Sequence, residues 1–330
     1  MKDAAQLVAL GRSGPRVFPL ALGCMGMSGM YGPADEAESI RTIHAAIEHG
    51  VDLLDTGDFY GMGHNELLIG RAIAGRRDKV RLSVKFGALR DPQNGFNGVD
   101  TRPVAVKNFV AYSLKRLGVE VIDIYRPARL DPNVPIEDTV GAIAELIQKG
   151  YVRHVGLSEV GVDTIRRAHA VHPVTDLQIE YALVSRGPEA KIFPVLRELG
   201  IGATLYGVLS RGLLSGSKPS AKSDFRAYLP RFSGAHQAQN QGVVERVASF
   251  AAERGLSSAE LCIAWVLAKQ PGFVPVIGAR RVTQLSSALN ALKRPLSQAE
   301  VAALEQLVPA EALAGTRYDA SQMAHLDSER

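Results

Sequence analysis

Short apolar runs of β character alternate along the chain with longer stretches whose apolar residues recur at helical spacing. The runs Ala21–Cys24, Val51–Asp55, Val80–Lys85, Val121–Arg126, Val152–Leu157, Asp176–Ile179, Gly202–Leu205 and Val274–Ile277 predict eight strands. Between them, Asp35–His49, Pro103–Leu117, Ile136–Lys149, Gly161–Ala170, Glu189–Leu199, Gly242–Arg254 and Ser257–Ala268 predict helices. Asp35 supplies an N-cap oxygen, and Gly50, Gly118, Gly150 and Gly200 each follow a helical stretch directly, where a left-handed stop belongs. Residues 6–20 hold two small apolar runs around GRSGP, the pattern of a β-hairpin. Regular strand–helix alternation, with no Pro/Ser-rich linker or break in composition, predicts a parallel sheet covered by helices. Eight such units predict a closed (β/α)8 TIM barrel, one domain over residues 1–330, with an N-terminal β-hairpin and a C-terminal extension. The longest stretch without periodicity, Gly207 to Gln241, follows the seventh strand, where it is expected to lie over the barrel mouth as a cofactor lid.

Polar chemistry gathers where the predicted strands end. In VDLLDTGDFYGMGHNE, residues 51 to 66, Asp55 closes the second strand and Tyr60 follows across a glycine-flanked turn; Lys85 closes the third strand. Strand C-termini are where barrels carry their reactive groups. An ammonium beside Tyr60 is expected to lower the phenol's pKa and make it a better proton donor, with Asp55 holding the ammonium in place. Any one of these residues alone reads as a cap or a surface ion pair; all three at strand ends read as an acid–base site.

Composition narrows the class. Hydrophobic content of 46% is ample for a sizeable core, and 38 basic against 34 acidic residues leave +4, spread rather than blocked into tails. That balance gives no sign of nucleic-acid binding and suits an anionic small ligand. Two distant cysteines, Cys24 and Cys262, offer neither a disulfide framework nor metal-ligand spacing, so no metal site is expected. The N-terminus lacks a signal-like apolar run and no stretch reaches membrane-spanning length, so the expectation is a cytoplasmic protein.

No P-loop is present, and LGCMGMSGMYG (residues 22 to 32) has the wrong glycine spacing for a Rossmann fingerprint. Barrels often hold phosphate in the loops after strands seven and eight, which here read LYGVLSRGLLSG and IGARRVTQL. Gly278 lies at the second turn, and Arg280 and Arg281 stand beside a helix start, where guanidinium groups suit a 2′-phosphate.

The strand-end motif Asp55-Thr56-x-x-x-Tyr60 with Lys85, and both loops, resemble those of the aldo-keto reductases, and RYDASQMAHLD (residues 317 to 327) resembles a bacterial branch of that family similar to potassium-channel β subunits. The resemblance covers nearly the whole chain. It implies NADPH bound without a Rossmann fold and a small-molecule carbonyl substrate. It implies Asp55, Tyr60 and Lys85 as catalytic, with Ser158 and Gln178 on the nicotinamide carboxamide and Tyr181 stacked on the ring. Leu209, Ser210 and Gly212 would line the pyrophosphate, while Arg280 and Gln284 would meet the adenosine phosphate side. Two departures stand out. Alignment on Arg129, Asp131 and Pro132 puts Ala128 where the family's catalytic His belongs, with Arg126 two residues earlier as a candidate replacement donor or an ion-pair partner. Ser287 and Ala288 replace a Glu-Asn pair that contacts adenine in the family.

The expected function is therefore NADPH-dependent reduction of an aldehyde or ketone with Tyr60 as general acid, in a pocket bordered by Met25, Met27, Tyr31 and Phe59. The alternative is a nucleotide-binding regulatory or sensor protein with little turnover, favoured by Ala128. A lyase or isomerase using Lys85 as a Schiff-base amine is a third reading, which leaves Arg280 and Tyr181 without a role.

Overall fold

The computed structural model describes residues 6–93, 95–219 and 224–330. Eight parallel strands close into a barrel: β1 (Ala21–Gly23), β2 (Leu53–Gly57), β3 (Arg81–Phe86), β4 (Ile122–Pro127), β5 (Val152–Ser158), β6 (Val174–Glu180), β7 (Gly202–Tyr206) and β8 (Val274–Gly278). They follow one another around the ring in chain order, and Ile277 opposite Leu22 joins the last to the first. The fold is the expected (β/α)8 barrel.

Local chemistry explains the helical layer. Asp35 caps α1 (Glu36–Glu48) by accepting from Glu38 N at 2.6 Å. Helix α3 (Pro103–Leu117) opens on Pro103, whose missing N–H costs nothing in a first turn, and stops at Gly118 with φ 65°. Helix α8 (Ser258–Lys269) starts from a capping box between Ser257 and Glu260. The outward side chains of the strands, such as Leu22, Leu54, Val84 and Leu177, pack beneath these helices in the main apolar core.

Side chains alternate along a strand, so every second residue enters the barrel. At the end where the strands begin, Ala21, Leu53, Ile124 and Val274 fill the interior with Leu10 and Val17 of the N-terminal hairpin, whose strands Val8–Ala9 and Arg16–Val17 pair antiparallel. Further along, the inward set turns polar: Ser83, Arg126, Asp176 and Thr204, then Asp55, Lys85, Ser158 and Gln178. The interior is thus apolar at one end and polar at the mouth.

Departures from the expected elements lie in the loops. A hairpin of Ala88–Arg90 and Phe96–Val99 follows β3. The helix Gly234–Ala252 begins eight residues before the periodicity becomes evident. In the expected lid, short 3-10 turns bury Asp224, Arg226 and Phe232; its residues 220–223 lie outside the described residues. The C-terminal extension returns to the mouth. Among the described residues no helix is long and apolar enough to cross a membrane, and no group of three or more His, Cys, Asp or Glu could hold a metal.

Candidate active site

Asp55 and Lys85 share the inward parity of adjacent strands and meet at the mouth. Lys85 Nζ donates to Asp55 Oδ1 at 2.5 Å, and Asp55 Oδ2 accepts from Gln178 Nε2 at 2.7 Å and Ser83 Oγ at 3.0 Å. All four residues are buried. Tyr60 enters the same cavity from a 3-10 turn in which Gly61 and Met62 take left-handed φ values of 57° and 52°. Met62 carries a side chain in that region, so the turn holds local strain. The Lys85 ammonium lies 5.3 Å from the centre of the Tyr60 ring.

Electrostatics correct one expectation. Burial pushes the Tyr60 phenol well above its ordinary pKa, and the Asp55 charge adds to the effect. Lys85 does not bring it down, because Asp55 neutralises the ammonium at contact distance. Burial lowers the Lys85 pKa in turn, against the pull of Asp55. Tyr60 is consequently a neutral phenol at physiological pH, the form able to donate a proton.

Arg126 takes the ion-pair reading of its two. It is fully buried beneath the cavity, donating to both oxygens of Asp176 at 3.0 Å and to Ser83 Oγ at 2.9 Å. Thr204 Oγ1 adds a 2.6 Å bond to Asp176. A Cβ at Gly156 would sit 3.1 Å from the guanidinium carbon, so only glycine leaves room for the pair. Arg126 therefore serves as an ion-pair partner and does not replace a missing donor. Ala128 does line the cavity and offers it a methyl group, while its backbone N donates to Phe86 O at 2.8 Å.

The cavity, of about 280 Å³, is bordered by Asp55, Tyr60, Lys85, Ala128, Ser158 and Gln178, and by Met25, Tyr31 and Phe59. Met27 is buried in the main core instead. Beside the cavity runs a groove of about 180 Å³ lined by Leu209, Gly212, Gly278, Arg280 and Gln284, with Gly26, Tyr31, Gly207 and Arg211 bordering both. Gly278 has open space within 4 Å of where a Cβ would stand, so the groove stays clear there. Ser210 is buried and its Oγ accepts from Arg231 Nη1 at 3.2 Å. Arg280 donates to the backbone oxygens of Tyr31 at 3.0 Å, Gly32 at 3.3 Å and Pro33 at 3.0 Å, and Gln284 Oε1 accepts from Arg280 N at 3.0 Å. Its guanidinium holds the loop after β1 against the groove.

Tyr181 is not at the site. Its ring stacks on Trp265 with centroids 5.3 Å apart, and its hydroxyl meets Glu189 and Gln270. Parity gives the reason: Gln178 points inward, so a residue three further on faces the helices. Tyr206, at the end of β7 with the inward parity of Thr204, does border the cavity, alongside Tyr31, Tyr60 and Tyr318. Its signal was the same strand-end position that marked Asp55 and Lys85.

Other mouth residues were invisible to local patterning. Arg317, from the C-terminal extension, donates to Glu159 at 2.6 Å and 2.9 Å, and Tyr206 OH donates to Glu159 at 2.7 Å. Burial opposes ionisation of Glu159, but the Arg317 guanidinium overrides it and holds the carboxyl far below its usual range. Arg211 pairs with Glu180 at 2.9 Å and lies 4.3 Å from the Tyr318 ring centre. Arg226 pairs with Asp224 at 2.7 Å.

Residues 19–309 match the Aldo/keto reductase family. The chain is 38% identical over 321 residues to "Probable aldo-keto reductase 1" of Glycine max, covering 95% of this chain and 92% of that protein. Among solved structures it resembles the glycerol dehydrogenase of Gluconobacter oxydans, with TM-score 0.83, 26% identity, and 95% and 99% of the two chains covered. It also resembles the holo form of an aldo-keto reductase from Bacillus halodurans, with TM-score 0.77, 28% identity, and 93% and 97% covered. With these matches spanning almost its full length and its barrel, the chain belongs to the aldo/keto reductase family of NADP-dependent oxidoreductases.

Proposed function

We propose that this protein reduces an aldehyde or ketone to the alcohol with NADPH, with Tyr60 as the proton donor. The observation that carries this reading is a neutral buried phenol and a Lys85–Asp55 pair in one cavity that opens directly into a groove bordered by glycine and arginine. The groove fits an extended dinucleotide: Gly207, Gly212 and Gly278 keep backbone accessible, and Arg211, Arg226 and Arg280 supply cations. Ser158 and Gln178 would hold the carboxamide, Tyr206 takes the stacking role expected of Tyr181, and Leu209 and Gly212 would border the pyrophosphate. Arg280 and Gln284 would meet the adenosine phosphates, which requires Arg280 to leave some of its carbonyl partners.

When bound, NADPH supplies a hydride to the carbonyl carbon. Tyr60 donates its proton to the oxygen as charge develops there, with the Lys85–Asp55 pair beside the phenol. Asp55, held by Gln178 and Ser83, fixes the ammonium. The Ala128 side chain offers no hydrogen bond, so a donor supplied by His in the family is lacking at that wall, a loss that typically costs about 10² to 10³ in rate.

The test is NADPH consumption by the purified protein with a panel of aldehydes, α-dicarbonyls and ketones. Turnover supports the reductase. Tight NADPH binding with no turnover on any of them supports the regulatory reading, in which Ala128 marks a disabled site.

A further inference from the structure

The cations at the barrel mouth are nearly all matched. Lys85 pairs with Asp55, Arg126 with Asp176, Arg211 with Glu180, Arg226 with Asp224 and Arg317 with Glu159. Arg129 differs. It borders the cavity beside Ala128, and among the described residues its guanidinium meets Ala128 O at 2.6 Å and Tyr318 OH at 3.3 Å but no carboxylate. Burial opposes its charge, Tyr318, Tyr206 and Glu159 nearby favour it, and its N–H groups have no carboxylate to bind. Asp55, already engaged by Lys85, Gln178 and Ser83, is the one carboxylate among the cavity-lining residues described.

Arg129 is also in the wrong place for the cofactor phosphates. It follows β4, which lies opposite β8 in the ring of eight strands, whereas the glycine- and arginine-lined groove follows β7 and β8. The cavity it borders has apolar stretches of wall, with Met25, Met30, Phe59, Phe96 and Phe225 among its lining.

We infer that Arg129 is the specificity-determining residue for a substrate carboxylate, and that the cavity takes oxo acids with an apolar body. Tyr318 positions the guanidinium: its hydroxyl lies 3.3 Å from Arg129 Nη2 and 3.1 Å from Tyr206 OH. The carboxylate would meet Arg129 near Ala128, where a methyl in place of an imidazole leaves room. This rests on the carbonyl-reductase reading for the reaction, though not for the binding.

The test compares phenylglyoxylate and 3-benzoylpropanoate, each with its methyl ester. Wild-type protein is expected to favour the acid over the ester by about 10- to 100-fold in kcat/KM for at least one pair, the range one charge-assisted hydrogen-bonded contact supplies. Arg129→Gln should erase that preference mainly through KM for the acid, and Arg129→Lys should restore part of it. Tyr318→Phe should weaken the preference less than Arg129→Gln. Independently, calorimetry on the NADP+-loaded protein should show acid binding in wild type and at least tenfold weaker binding in Arg129→Gln. Esters turned over as well as both acids, or acid binding unchanged by Arg129→Gln, would overturn the inference. If no carbonyl is reduced but the calorimetric difference stands, the reductase reading fails and the carboxylate site remains.

Discussion

At the scale of single residues, the site is a set of ionisable groups whose buried surroundings set their protonation. Tyr60 is kept neutral by burial and by Asp55, while Lys85 stays attached to Asp55 although burial lowers its pKa. Asp58, between them in sequence, is pushed up to about 7, chiefly by burial and then by the charge of Glu66. Among the described residues, one of its oxygens, like Tyr125 OH, is buried without a hydrogen-bond partner. A carboxyl raised in the folded state binds a proton there that the unfolded chain has already released. Stability therefore falls as pH rises from about 4 to about 7, and stays lowered above. Asp58→Asn should recover about 1–3 kcal/mol at pH 8 and almost nothing below pH 4. Urea denaturation of both proteins at the two pH values checks this.

At the scale of elements, the site rests on two buried ion pairs that local sequence patterning does not reveal. Arg126 on β4 and Asp176 on β6 span the barrel interior, and Ser83 links them to Asp55. Arg126→Met should destabilise the protein by about 3–5 kcal/mol, because it leaves Asp176 buried and unpaired. Adding Asp176→Leu should return much of that loss; an Arg126→Met protein as stable as wild type in a denaturant titration would contradict the account. The second pair, Glu159 with Arg317, ties the C-terminal extension to the end of β5. Its carboxyl is held down, so its contribution is complete above the ordinary carboxyl pKa and disappears as pH falls through the lower folded value. Arg317→Met should release the extension, read as faster amide exchange over residues 316–330 with the barrel strands still protected. Unchanged exchange there would show that other contacts hold the segment.

At the scale of the molecule, the barrel was legible because each unit repeats the same local logic. Apolar runs, a capping Asp35 and stops such as Gly118 and Gly200 all specify local structure, and the eight strands fall within a few residues of where periodicity puts them. Asp55 and Lys85 were legible for the same reason, since strand ends in a barrel converge, whereas Ser158 and Gln178 on the same walls were reached only through the family resemblance. What escaped depended on relations that spacing does not carry. Tyr181 was misplaced because inward and outward parity was not followed past the end of β6, and Tyr206 was passed over for want of the same step. Arg317 and Tyr318 reach the mouth from more than 100 residues beyond Tyr206, and only the closed fold brings them there. The pairing of Arg126 with Asp176, 50 residues away, likewise emerges only once the ring is closed.

The central claim is that hydride from NADPH and a proton from Tyr60 arrive at one carbonyl in this mouth. It is tested most directly by single-turnover reaction with NADPH carrying deuterium at the transferred position, followed by mass spectrometry of the product. The account predicts deuterium on the alcohol carbon with wild-type protein, formed about 10² to 10⁴ times more slowly by Tyr60→Phe. Deuterium transfer at the same rate in both proteins, or none in wild type with NADPH bound, would contradict it.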